Sequence, residues 1–171
     1  MPNYMPNLAI PLPNRPNKLP MAATFRVSGA IFLGFSLIAA GLGLWSGLFE
    51  WSPKAEGLRR NAMIALFVPA LIEEIVFRVP LLCAKSIWVY GALSWSTLGY
   101  AAWHVIEAKT FLPEAAPWFL DPVFLLITAL FGVAAAITVS RTGRLLPAVV
   151  MHWAMVVGWK QLFGGPSLVG A

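Results

Sequence analysis

Apolar residues run through this chain in long stretches separated by short polar breaks. Five stretches approach the roughly 20 apolar residues a helix needs to cross a hydrocarbon core. They are 25–49, 62–83, 87–106, 118–139 and 145–163. The pattern predicts an all-α fold, a polytopic transmembrane bundle of about five spanning helices. The first stretch is the cleanest. The second carries charges, the fourth has Asp121 near its start, and the third and fifth contain His104 and His152. Residues 1–24 hold six prolines and four asparagines and read as a flexible, extended tail. It lacks the basic start and short apolar run of a secretory signal. A transmembrane helical domain is expected over 25–165 and a C-terminal tail over 166–171. Gly29, Gly34, Gly41 and Gly43 are expected to allow close helix packing. Trp45, Trp51, Trp88 and Trp118 fall at segment ends, where interface anchors sit. The breaks are a basic loop at 51–61, a loop at 107–117 and a tight turn at 141–144. Pro147 follows, near the start of the last helix, where its missing N–H costs little.

Composition agrees with the pattern. The chain has 171 residues, 59% hydrophobic and 11% charged, with mean hydropathy +0.76. Soluble domains average about 25% charged residues. The net charge of +5 does not point to nucleic acid, because the cations are scattered through short loops and the N-terminal tail. Beside apolar stretches such residues set topology. With the N-terminus inside, the inner side carries Arg15, Lys18, Arg26, Lys85, Arg141 and Arg144. The outer side carries Lys54, Arg59, Arg60, Lys109 and Lys160. That small asymmetry favours a cytoplasmic N-terminus. The expected location is a membrane, with a bacterial plasma membrane or a thylakoid-like internal membrane as the open alternatives. Cys83 is the single cysteine, so an intrachain disulfide is excluded, and its apolar neighbours predict a packed thiol.

The chemistry concentrates in Glu73, Glu74 and Arg78, set in the apolar run from Ala62. Charges at bilayer depth are costly and need a partner or a task. Glu74 and Arg78 are four apart with the acid first, the favoured order for a pair on one helix face. Glu73 points about 100° away, without a local counter-ion. A buried, unpaired carboxylate is poor glue between helices and a good candidate for proton transfer. Pro69, one turn earlier, can kink the helix and open a wet cavity. The chain's two histidines, His104 and His152, both lie in apolar stretches. One acid with two imidazoles fits two chemistries. The acid and one imidazole can polarise a water while the other imidazole meets a developing oxyanion. The same three side chains can instead hold zinc, although His-Glu-x-x-His spacing is absent. His104 lies about 12 Å from the centre of its predicted helix, so that helix is expected to run on toward Leu112. A transporter is disfavoured, because no repeated half appears.

These residues resemble a known family. Glu73-Glu74-Ile75-Val76-Phe77-Arg78 is similar to the Glu-Glu-x-x-x-Arg signature of the CPBP family, also called Abi, which comprises CAAX prenyl proteases and bacteriocin-processing enzymes. Tyr100 followed by His104 resembles its second motif, where Phe is commoner than Tyr. His152, after Pro147, resembles the third. The resemblance covers about 60–165, with the motifs in the family's order on three separate helices. It implies an intramembrane glutamic endopeptidase that acts on a membrane-bound or prenylated substrate without a cofactor. In that reading Glu73 activates water with His104, His152 stabilises the oxyanion, and Glu74 and Arg78 are a supporting pair. One departure stands out. The family commonly has Asn or Asp four residues after the third-motif histidine, and this chain has Val156. A non-catalytic membrane adaptor that keeps the fold is therefore the alternative expectation, and a zinc hydrolase using Glu73, His104 and His152 a further one.

Overall fold

The computed structural model describes residues 18–84 and 89–165. Most of the predicted N-terminal tail, the tail at 166–171, Lys85 and Trp88 lie outside the described residues. Among those described the fold is all-α, with six helices: α1 (Met21–Ser46), α2 (58–83), α3 (89–110), the short α4 (113–119), α5 (Pro122–Thr142) and α6 (Leu146–Leu162). An isolated parallel bridge joins Ser52 to Phe163.

Helix α5 is the axis of the bundle and packs against α1, α2, α3 and α6. Its sequence suits that place. Asp121 caps its start, accepting from the amides of Val123 at 2.8 Å and Phe124 at 3.1 Å. Gly143 ends it with φ 64°. Between them Gly132, Ala134, Ala135 and Ala136 keep the helix thin. A Cβ on Gly132 would lie 3.1 Å from Thr97 Cα and 3.2 Å from the Ser96 carbonyl oxygen. The backbones of α5 and α3 therefore meet there, as small residues allow in membrane bundles.

Two helices carry a wide turn. In α2 the segment Leu66–Leu71 is π-helical and contains Pro69. The proline ring would strike a carbonyl one turn back in a tight α-helix, and the wider turn gives it room. The expected kink is thus a π-turn. In α3 the segment Trp95–Gly99 is π-helical and Tyr100–Thr110 continues as α-helix. The predicted extension past 106 is present and ends four residues on.

Several boundaries shift. Helix α1 begins at Met21, not 25, because the prolines stop at Pro20 and a helix start tolerates one there. Helix α2 begins at Leu58, inside the expected loop. Cys83 is exposed at the last residue of α2, so the expected packed thiol is not found. Gly29, Gly34 and Gly41 have nothing within 4 Å of a Cβ position, contrary to the packing role expected of them. Helix α1 turns a single face to the bundle, through Thr24, Ser28, Phe35, Ala39 and Gly43, and these three glycines lie off it. Gly43 does pack, against the Phe49 ring.

Among the described residues two helices, α1 and α5, are long and apolar enough to cross a membrane. Helices α2 and α3 have π-turns in mid-course, and α6 has 17 residues. The outward surface is apolar on each long helix, with Leu37 on α1, Phe67 and Ile72 on α2, Leu98 on α3, Val133 on α5 and Val150 on α6 all exposed. The interior holds Glu73, Glu74, Arg78, His104 and His152. Polar inside and apolar outside is the arrangement a bilayer favours.

Gly132→Val should push α5 off the Ser96–Thr97 backbone and cost about 1–3 kcal/mol. A lowered Tm in detergent would show it. Gly41→Ala, in open space on α1, should leave Tm unchanged or slightly raised.

Candidate active site

The site is built around a buried chain of polar contacts that crosses three helices. On α2, Glu74 and Arg78 are both fully buried, with Arg78 Nε donating to Glu74 Oε2 at 2.9 Å. Arg78 also donates through Nη1 to the Ser96 carbonyl and, at 2.8 Å, to Ser96 Oγ. Ser96 lies in the π-turn of α3. The guanidinium lies over the Tyr100 ring, 4.8 Å from its centroid. One arginine thus ties α2 to α3 at its carboxylate, a carbonyl, a hydroxyl and an aromatic face.

Glu74 does a second job. Its Oε1 lies 3.1 Å from His152 Nδ1 on α6. A carboxylate only accepts, so the proton sits on Nδ1 and the imidazole donates. His152 Nε2 then faces the Tyr100 hydroxyl at 3.2 Å and Glu73 Oε2 at 3.9 Å. The tyrosine O–H donates to that nitrogen while the ring is neutral. His104 is oriented in the same way by its own helix. Its Nδ1 lies 3.0 Å from the Tyr100 carbonyl and donates to it, leaving the Nε2 lone pair free. Tyr100, Phe119 and Phe124 pack around its ring, with centroids 5.0, 5.2 and 5.6 Å away.

Glu73 differs from its neighbour as the helical phase predicts. It is buried, and its Oε2 has no hydrogen-bond partner among the described residues. Glu73, Tyr100, His104 and His152 all line one cavity of about 640 Å³, together with Val156. Each of the sequence-predicted residues is therefore at or beside one place. Glu73, His104 and His152 border the cavity, and Glu74 and Arg78 stand behind His152. Among the described residues no hydrogen bond or ion pair joins His104 to Glu73 or His152; Tyr100 links the two histidines, one through its carbonyl and one through its hydroxyl.

Three features were missed in sequence. Tyr100, read in sequence only as the aromatic residue of the second motif, is a hub, and the signal was there: a buried tyrosine hydroxyl requires a partner. Ser96 anchors Arg78, which nothing in the local sequence announces. Glu107, three residues after His104, also lines the cavity. Among the described residues no group of three or more His, Cys, Asp or Glu is arranged to hold a metal ion. Glu73, His104 and His152 thus share a cavity without forming a zinc cage.

Helices from three parts of the chain are joined by a buried acid–base network that opens on a cavity. The family model for type II CAAX prenyl endopeptidase Rce1-like proteins matches residues 57–158, more than half of the chain, and the chain belongs to that family. The match begins just before α2 and includes all five predicted site residues. No curated protein and no solved structure matches the chain.

Arg78→Met leaves the Glu74 carboxylate buried with no guanidinium. Breaking such a pair costs about 3–5 kcal/mol. Sharply reduced yield of folded protein and a lower Tm are expected, both measurable by fluorescence-detected size exclusion.

Proposed function

We propose that this chain is an intramembrane endopeptidase that hydrolyses a peptide bond of a membrane-associated or prenylated substrate. The helical domain spans the bilayer five times, through α1, α2, α3, α5 and α6, with the peptidase core over about 60–165. The observation that carries the reading is Glu73 Oε2, buried without a hydrogen-bond partner among the described residues on a cavity that both histidines also line.

Each group has a task that its geometry suits. Glu73 accepts a proton from a water, which the free Nε2 of His104 helps to hold. The water oxygen adds to the scissile carbonyl carbon, and the carbonyl oxygen becomes an oxyanion. Donors aimed at that oxygen are the source of acceleration in acyl transfer. The Tyr100 hydroxyl is one, and His152 Nε2, carrying a proton taken up from solvent before the water adds, is another. Glu74 holds the His152 ring through Nδ1, while Arg78 holds Glu74 in place. The C–N bond then breaks, Glu73 returns its proton to the leaving amine, and the new carboxyl group departs. Aromatic and aliphatic side chains, among them Phe32, Phe49, Phe111 and Met155, wall the rest of the cavity. An isoprenoid or another apolar segment would be at home there.

A second reading has its own observation. Val156, one turn beyond His152 on α6, lines the cavity with a side chain that donates no hydrogen bond. A membrane adaptor that keeps the fold without catalysis would tolerate that residue. The two readings separate at Glu73. Glu73→Gln in purified protein should lower cleavage of a farnesylated peptide by about 10²–10⁴-fold, with unchanged elution on size exclusion. Undiminished turnover would end the peptidase reading.

Val156→Asn should restore a donor on the cavity wall. Since one oxyanion donor is worth about 10²–10³ in kcat, a clear rise in kcat with little change in KM is expected from steady-state assays.

A further inference from the structure

One carboxylate on the cavity wall has no task in the chemistry above. Glu107 borders the cavity from the last turn of α3, half-buried, and Glu114 borders it from α4. With Glu73 they make three carboxylates on a wall that carries one ammonium, Lys160, among the described residues. No ion pair among the described residues engages Glu107. Its place is set by its backbone. The amides of Phe111 at 3.0 Å and Leu112 at 2.7 Å both donate to the Glu107 carbonyl and close the end of the helix.

Glu73 gives an independent sign that something is received here. It is 6% exposed, and its Oε2 lines the same cavity without a hydrogen-bond partner among the described residues. Of the charged groups that act on Glu73, Glu107 acts most strongly, ahead of the adjacent Glu74. Trp103 Nε1 approaches both carboxylates and completes a hydrogen bond with neither. Like charges around a cavity poor in water repel strongly. A cation brought between them relieves that repulsion, and such complementarity selects partners.

Helical geometry says where along a substrate that cation would lie. Glu107 follows His104 by three residues, about 4.5 Å along the axis and about 60° short of a full turn. It therefore stands one turn beyond the imidazole on nearly the same face. An extended peptide advances about 3.4 Å per residue, so a residue one or two places from the scissile carbonyl comes level with Glu107.

We infer that Glu107 is a specificity residue that receives a lysine or arginine side chain of the substrate, one or two residues from the bond that is cut. This deepens the endopeptidase reading above and rests on it.

The test uses farnesylated peptides with lysine or glutamine placed in turn at each of the two residues on either side of the farnesylated cysteine. At one of these positions wild-type protein should favour lysine by about 10- to 100-fold in kcat/KM, the range expected for a hydrogen bond between charged groups, with most of the difference in KM. Glu107→Gln should bring that ratio close to one. Glu107→Lys should invert it, favouring a peptide with glutamate at that position over the lysine peptide. A purely structural role would lower the use of every peptide alike and leave the ratio in place. A ratio near one at all four positions in wild-type protein, or a lysine preference that survives Glu107→Gln, overturns the inference. Binding of fluorescent versions of the same peptides to wild-type protein separates the two readings. A lysine preference in binding that Glu107→Gln abolishes, in a protein that cleaves none of the peptides, upholds Glu107 and removes the peptidase reading. Cleavage indifferent to lysine removes the inference and leaves the peptidase reading standing.

Discussion

A carboxylate held between a guanidinium and an imidazole governs this structure. Glu74 is fully buried; Arg78 donates to both of its oxygens, and His152 shares Oε1. Removing charges from water costs several kcal/mol per ion, and only close pairing offsets it. The arrangement fixes more than one helix. Arg78 reaches Ser96 on α3, and His152 belongs to α6, so one buried pair sets the relation of three helices. The ring that borders the cavity is oriented by this contact and by the Tyr100 hydroxyl. Structure and chemistry here share the same atoms.

Glu73 owes its character to what the pair leaves out. It is adjacent in sequence but about 100° away around the helix, beyond direct reach of the guanidinium. Its free oxygen meets the cavity while its neighbour's is spent on structure. Two identical side chains thus acquire different roles from helical geometry alone, much as neighbouring carboxylates diverge when their surroundings differ.

Local geometry made part of this legible in the sequence. The Glu74–Arg78 pair follows from a spacing of four, the divergence of Glu73 from a spacing of one, and the end of α5 from Gly143. What the sequence concealed depends on contacts across helices. Tyr100 takes its importance from His152, 52 residues away. Ser96 takes its from Arg78, 18 residues away. Neither relation has a local signature. The glycines of α1 misled for a related reason: their number suggested packing, but α1 offers only one face to α5, and Gly29, Gly34 and Gly41 lie off it. Cys83 misled because apolar neighbours do not reveal that a helix stops there. Candidate spans were readable as apolar stretches, but two of them contain π-turns that no hydropathy pattern shows.

The wide turn at Trp95–Gly99 bears on how this protein can change. A π-turn holds one residue more than an α-turn, so α3 stores a surplus residue between its two working parts. Loss of that residue would relax the backbone into ordinary helix at little local cost. The half beyond it would also rotate by about 100°, carrying His104 away from its present bearing while Ser96 stayed under Arg78. A deletion at this point is therefore ruinous for alignment, and the wide turn works as the phase lock of the helix.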